Sequence, residues 1–249
     1  MCRHLAYLGP PVPLSRLLFD PPHSLSRQSW APRDMRGGGT INADGFGVGW
    51  YGSGVAGPVR YRRHTPIWSD TTLPGLAASL TSTAVLAAVR SATVGMPVTE
   101  SAAAPFGDGP WLFSHNGVVT GWPGSVAKLA GTLPPADLLT LDAPTDAALL
   151  WLLVRDRLRS GESLPSSLRS VIADVREVAP GSRLNLLVTD GSSLAASAVG
   201  HSLSVRTGPG AITVASEPLD DDPAWRAVPD RTLLSATASD LSFTPLGEA

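Results

Sequence analysis

TDAALLWLLVRDRLRSGESLPSSLRSVIADVREV, residues Thr145–Val178, is the long helical stretch of a 249-residue chain that otherwise reads mostly as strands and loops. Thr145 is placed to cap a helix starting at Asp146, because its hydroxyl can accept from a first-turn N–H that has no partner within the helix. That helix extends to about Arg159 and is stopped by Gly161. A second helix spans about Leu164 to Val178, with Leu164, Leu168, Val171, Ile172, Val175 and Val178 keeping helical spacing. Beyond Pro180–Gly181 the pattern turns to strands at Leu184–Val188, Leu194–Ala198, Leu203–Val205 and Ile212–Ala215, with a last pair near Leu233 and Leu241. Upstream lie further strands at His4–Leu8, Phe46–Tyr51, Val59–Arg63 and Ala84–Val89. Trp111–Ser114 and Val118–Val119 flank His115–Asn116–Gly117. Asn-Gly between apolar runs is a hairpin signal, so a turn is expected there. Strands, then helices, then strands predict an α+β layered domain rather than a βαβ repeat. With no internal repeat and no linker, residues 1–249 are expected to form one domain.

Composition narrows the function. The formal charge is −2 and no Lys/Arg stripe stands out, so nucleic acid is not an expected partner. No apolar run is long enough to span a bilayer; Ala147–Val154 comes nearest and meets Arg155 and Asp156. A single cysteine excludes an internal disulfide and fits a reducing compartment. With no secretory pattern at the start, the protein is expected in the cytoplasm. Residues 20–40, rich in Pro, Ser, Arg and Gly and ending in Gly37–Gly38–Gly39, read as a long loop.

Some motifs carry no chemistry. Gly52–Ser53–Gly54–Val55–Ala56–Gly57 matches GxGxxG, but Pro58 and a strand follow where a dinucleotide site needs a helix, so it reads as a hairpin turn. His4, His23, His64, His115 and His201 show no metal-ligand spacing, and neither metal nor cofactor is expected. Arg60, Arg62 and Arg63 read as the solvated face of an edge strand.

Cys2 alone reads as an accident of a frayed terminus, but its position offers a chemistry. Methionine aminopeptidases remove Met1 when a small residue follows. Cys2 would then bear a thiol and a free α-amine, titrating near ~8.5 and ~7.7–8.0, so the amine can act as the thiol's own base. A strand starting at His4 would tie that terminus down. Three further segments are specific: Asn42–Tyr51 (NADGFGVGWY), Val89–Thr93 with Arg90 just past a β run, and Ser114–Val119. Asp146 stands in a helix's first turn, where the dipole favours an acid.

In this order, with Cys2 in front, these segments resemble the class II glutamine amidotransferases, which are N-terminal nucleophile hydrolases. The resemblance implies a four-layer αββα sandwich of two antiparallel sheets between helical layers. It implies Cys2 as nucleophile on a γ-amide carbonyl, with the Asn116 side chain and the Gly117 N–H as oxyanion hole. Arg90 and Thr93 would hold the substrate α-carboxylate and Asp146 its α-ammonium. Further segments, Gln28–Arg33, Ala87–Pro97 and Ala215–Asp222 among them, are similar to the γ-glutamyl hydrolase branch that serves ergothioneine biosynthesis in actinobacteria. That similarity runs from Met1 to about Leu241 and makes the expected partner a small γ-glutamyl substrate; oligomeric state is left open. The chain departs from many amidotransferases at Ala102–Ala103–Ala104–Pro105, where they carry Asn-x-His-Pro, and at Ala148, where they often carry Glu. Both departures favour a hydrolase over an ammonia-donating glutaminase subunit. An inactive γ-glutamyl-binding protein is the remaining alternative. Trp30 and Asp220–Asp222 are candidates to face a cationic group on the substrate's other half.

Overall fold

Backbone pairing resolves the strand-rich parts of the chain into two antiparallel sheets in a computed structural model, which describes residues 2–36, 41–52, 54 and 56–247. Met1, the Gly37–Gly39 run, and Ser53 and Val55 of the GxGxxG match lie outside the described residues. The strands are β1 (Arg3–Pro13), β2 (Phe46–Tyr51), β3 (Pro58–Arg63), β4 (Thr81–Val89), β5 (Phe106–Asp108) and β6 (Trp111–Val118). They continue with β7 (Arg183–Thr189), β8 (Ser193–Ala198), β9 (Ser204–Gly208), β10 (Ala211–Ala215), β11 (Arg226–Ala227), β12 (Thr232–Thr237) and β13 (Leu241–Pro245). The helices are α1 (Ser15–Leu18), α2 (Leu25–Gln28), α3 (Leu73–Ser79), α4 (Ala127–Ala130), α5 (Pro135–Leu139), α6 (Asp146–Arg159) and α7 (Leu164–Val178). Sheet one has the order β11-β9-β10-β1-β4-β2-β3, and sheet two β13-β12-β8-β7-β6-β5.

Period-two alternation along the strands sorts the core into three separate layers of contact. Leu5, Tyr7, Val85, Ala87 and Val89 on one face of sheet one pack with Leu17, Leu25 and Leu73 from α1, α2 and α3. Ala6, Leu8, Ala84 and Leu86 on its other face meet Leu112, Leu187, Ala196 and Leu234 of sheet two. The far face of sheet two, with Phe113, Leu184, Leu186 and Val188, is covered by Leu150, Val154, Leu168 and Ile172 of α6 and α7. The arrangement is the four-layer αββα sandwich that the resemblance implies.

Local chemistry sets the ends of the long helices. The Thr145 hydroxyl accepts from the Ala148 N–H at 3.2 Å, and Ser163 caps α7 by accepting from the Ser166 N–H at 3.3 Å. Both helices keep the bounds read from the sequence. No helix among the described residues is long and apolar enough to cross a membrane.

Three expectations change. Asn116–Gly117 is not a turn: β6 runs straight through it, with Asn116 opposite Asn185 and Gly117 opposite Leu184 on β7. Glycine is needed there because a Cβ would fall 1.8 Å from the Arg183 carbonyl oxygen, a demand of strand approach rather than of a turn. Residues 20–40 are not all loop, since α2 lies within them, capped by Ser24 accepting from the Arg27 N–H at 3.3 Å. β3 is an edge strand as read, but Arg62 is not simply solvated: its guanidinium donates to Asp142 at 3.1 Å and to the Ser101 and Ala103 carbonyls. The Gly52–Gly57 segment does join β2 to β3 as an antiparallel hairpin, with Tyr51 opposite Pro58.

Candidate active site

β1 lies between β4 and β10 in sheet one, so the residues at its start are held from both sides. Cys2 immediately precedes it. The thiol is partly exposed and lies 3.7 Å from the Ser91 carbonyl oxygen. Arg3 is buried; its Nε donates to Glu217 at 2.8 Å and one terminal nitrogen donates to the Cys2 carbonyl at 3.1 Å. Its other terminal nitrogen donates to the Asp34 carbonyl. His4 is buried toward sheet two, where Nδ1 lies 3.2 Å from the Ser114 hydroxyl.

Cys2 and Arg90 line one small cavity of about 30 Å³, together with Ala102, Ala104, His115 and Ala147. Arg90 is buried at the end of β4, and its guanidinium donates to the Pro97 carbonyl at 2.9 Å and the Asp44 carbonyl at 3.5 Å. Asp44 holds this segment further: its N–H donates to the Arg90 carbonyl at 3.0 Å, and its carboxylate accepts from the Ala92 N–H at 2.8 Å. The Asn42–Tyr51 motif thus acquires a structural task that its sequence did not reveal. Thr93 does not line the Cys2 cavity. It lines a neighbouring cleft of about 690 Å³ with Val119, Trp122 and Pro144.

Asp146 is buried at the start of α6. One carboxylate oxygen accepts from the Val119 N–H at 3.0 Å and the other from the Ala147 N–H at 2.8 Å, so the acid joins the helix start to the end of β6. Asn116 is buried on β6, and its side-chain nitrogen donates to the Ser216 hydroxyl at 3.3 Å. His115, a cavity neighbour of Cys2 given no role by the sequence, lies with Nε2 at 3.0 Å from the Arg183 carbonyl oxygen. Of the six predicted site residues, Cys2 and Arg90 line the small cavity; Asn116 and Gly117 follow its lining residue His115 on β6, Asp146 precedes its lining residue Ala147 on α6, and Thr93 lines the next cleft. Ser216, Glu217, Arg3 and Asp44 are the polar contributors that the sequence reading missed. The Ala215–Asp222 resemblance was the available signal for the first two.

The alanines of Ala102–Ala103–Ala104–Pro105 are structural neighbours of Cys2 rather than remote substitutions. Ala102 and Ala104 present methyl groups to the cavity where an Asn-x-His-Pro sequence would present polar side chains. The cation candidates are already engaged with cations of this chain: the Arg27 guanidinium sits 3.9 Å from the Trp30 ring centroid. Asp220 accepts from Arg206 and from the Trp225 indole, both at 2.8 Å, and Asp221 accepts from Arg33 at 2.7 Å.

Burial pushes the His4 imidazole down to about 3, helped by the nearby His115, His201 and Arg3. Burial and the adjacent Arg183 push His201 down to about 4. Both folded values lie below the unfolded value near ~6.5, so the unfolded chain binds protons that the folded one excludes. Their contribution to stability is complete above about pH 6.5 and is lost as pH falls toward 4 and then 3. Per fully titrating imidazole the slope is roughly 1.4 kcal/mol per pH unit. Thermal unfolding midpoints should fall steadily from pH 7 to pH 4, and less steeply in His4→Gln. Equal slopes in the two proteins would contradict the role of His4.

Residues 17–210 match the family described as glutamine amidotransferases class-II, and the chain belongs to that family. It is 43% identical to the gamma-glutamyl-hercynylcysteine sulfoxide hydrolase of Mycolicibacterium smegmatis, over 99% of this chain and 100% of that protein. It is 41% identical to the protein of the same name from Mycobacterium tuberculosis, over 100% of this chain and 98% of that one. Among solved structures, a glutamine aminotransferase class-II domain protein from Silicibacter pomeroyi superposes with a TM-score of 0.71 at 23% identity. The match covers 99% of this chain and 100% of that one, and it supports the fold.

Proposed function

We propose that this protein hydrolyses the γ-glutamyl amide of γ-L-glutamyl-hercynylcysteine S-oxide, giving glutamate and hercynylcysteine S-oxide, as a step of ergothioneine biosynthesis. The observation that carries this reading is the 43% and 41% identity, along essentially the whole chain, to two hydrolases named for that substrate. Cys2 at the head of a central strand, beside Arg90 in one cavity, supports it.

In this reading Cys2 is the first residue of the mature chain. Its α-amine takes the thiol proton as sulfur attacks the γ-carbonyl carbon. The carbonyl oxygen becomes an oxyanion that accepts from the Asn116 side-chain N–H and the Gly117 backbone N–H, donors worth ~2.7–4 kcal/mol each in related settings. The protonated amine then gives its proton to the departing cysteine nitrogen. A γ-glutamyl thioester remains on Cys2, and water attacks it, with the same amine as base. Arg90 offers forked donors to the α-carboxylate, with Thr93 beside it across the adjoining cleft. The Asp146 carboxylate, already fixed by two backbone N–H groups, keeps lone pairs for the α-ammonium. The chemistry requires neither metal nor cofactor. We place the enzyme in the cytoplasm as a single domain, residues 1–249, acting on a small molecule without nucleic acid or membrane.

Turnover of the authentic sulfoxide beside glutamine tests the assignment. The sulfoxide should be favoured in kcat/KM on the order of 10²-fold or more, because glutamine lacks the hercynyl half and the binding energy it can contribute. Faster turnover of glutamine would make the protein a glutaminase instead.

A further inference from the structure

β10 ends at Ala215, and the two residues that follow reach partners in different layers of the sandwich. Ser216 is fully buried; its hydroxyl accepts from the His4 N–H at 3.0 Å and from the Asn116 side-chain N–H at 3.3 Å. Its own N–H donates to the His4 carbonyl at 2.9 Å, so it is fixed to β1 through backbone. Glu217 is also buried. Its carboxylate accepts from Arg3 Nε at 2.8 Å and from the Arg33 N–H at 2.7 Å, and Arg3 donates onward to the Cys2 carbonyl at 3.1 Å.

The proposed nucleophile belongs to sheet one and the proposed oxyanion donor to sheet two. The layer between the sheets is built mainly from alanine and leucine. Such contacts are non-directional and do not by themselves fix one sheet against the other at atomic precision. A directed hydrogen bond does. The Asn116 amide nitrogen has two hydrogens. Ser216 takes one, which aims the other. The amide oxygen is buried and has no partner among the described residues, so it does not set the orientation.

We propose that Ser216–Glu217 is a positioning element for the reaction. It holds the Asn116 amide in place relative to Cys2 across the gap between the sheets. Ser216 acts on the amide nitrogen, and Glu217 acts through the Arg3 side chain that holds the Cys2 carbonyl. Neither residue touches the reacting atoms. The inference rests on the catalytic roles given above to Cys2 and Asn116. Its physical basis is the steep sensitivity of such chemistry to geometry, in which a displacement of about 1 Å can cost on the order of 10²-fold in rate.

A double-mutant cycle on the full chain tests it, with kcat and KM measured for Ser216→Ala, Asn116→Ala and the double variant. Asn116→Ala should lower kcat roughly 10²- to 10³-fold. Ser216→Ala should lower kcat about tenfold or more with KM within about twofold, and should cost less than about threefold more in the Asn116→Ala background. Ser216→Cys, nearly isosteric and still an acceptor, should lie between the native protein and Ser216→Ala, and it carries the test if the alanine variant does not fold. Two results overturn the proposal: kcat of Ser216→Ala within twofold of native, or the same factor lost with and without Asn116, which marks a structural role only. Near-native activity of Asn116→Ala is a different failure. It removes the oxyanion assignment itself, and the positioning role falls with it.

Discussion

Replacing Cys2 with alanine is expected to lower γ-glutamyl hydrolysis on the order of 10⁴-fold or more while leaving the fold intact. The asymmetry comes from where the side chain sits. The thiol is partly exposed, and its one hydrogen-bond contact among the described residues is a weak sulfur donor at 3.7 Å. Removing it should change unfolding free energy by no more than about 0.5 kcal/mol, as for other substitutions away from core packing. Glutamate release reports the first quantity, and urea unfolding the second. A chain that keeps Met1 should be as inactive as the alanine variant, because the Cys2 nitrogen would then be a peptide amide and the free amine would sit one residue away. Intact mass sorts the two species. Turnover by protein that retains Met1 in every molecule would refute the N-terminal base.

The second large effect concerns stability. Glu217→Ala should cost about 3–5 kcal/mol, because it strands the Arg3 guanidinium in the interior without its counter-charge. Arg3 and Glu217 expose only 2% and 3% of their side chains, so the pair is desolvated in the folded protein. Replacing both charges together, Arg3→Met with Glu217→Leu, should recover most of that loss, since an apolar pair avoids the desolvation penalty. Denaturant midpoints at constant slope measure both changes. Recovery of stability without recovery of kcat would separate what the pair does for the fold from what it does for the Cys2 carbonyl. A Glu217→Ala chain as stable as the native one would show that the ion pair is balanced by some other neighbour.

The parts legible in the sequence share one property: their determinants lie close together along the chain. α6 and α7 are long enough for several turns of periodicity, and Thr145 and Ser163 announce their starts. β2 is bounded by Gly45 and Gly52 and was read at its true ends. α1, α2, α4 and α5 have four or five residues each, too few for a period to register. Asn116–Gly117 shows the opposite limit. Its local pattern is that of a turn, and only the approach of the Arg183 carbonyl on β7 explains why the chain stays extended there. The candidate site could be proposed as a set only through family resemblance, since a lone second-position cysteine carries little by itself. Ser216 and Glu217 were illegible in role because their partners lie far along the chain, Ser216 meeting Asn116 at a separation of 100 residues and His4 at 212, and Glu217 meeting Arg3 at 214.

The start of β1 also dictates how the protein must be handled. Arg3 stands opposite Val89 on β4, the His4 carbonyl accepts from the Ser216 N–H just beyond β10, and the Ser91 carbonyl already lies against the Cys2 sulfur. In the proposed mechanism an affinity tag fused ahead of residue 2 blocks the Cys2 amine even after most linkers are cleaved, because a single leftover residue suffices. Under that mechanism a tagged chain becomes competent once processing leaves cysteine at the new terminus. Such a terminus is a 1,2-aminothiol, which condenses with aldehydes to thiazolidines. Traces of aldehyde in a buffer would then titrate the active sites one by one.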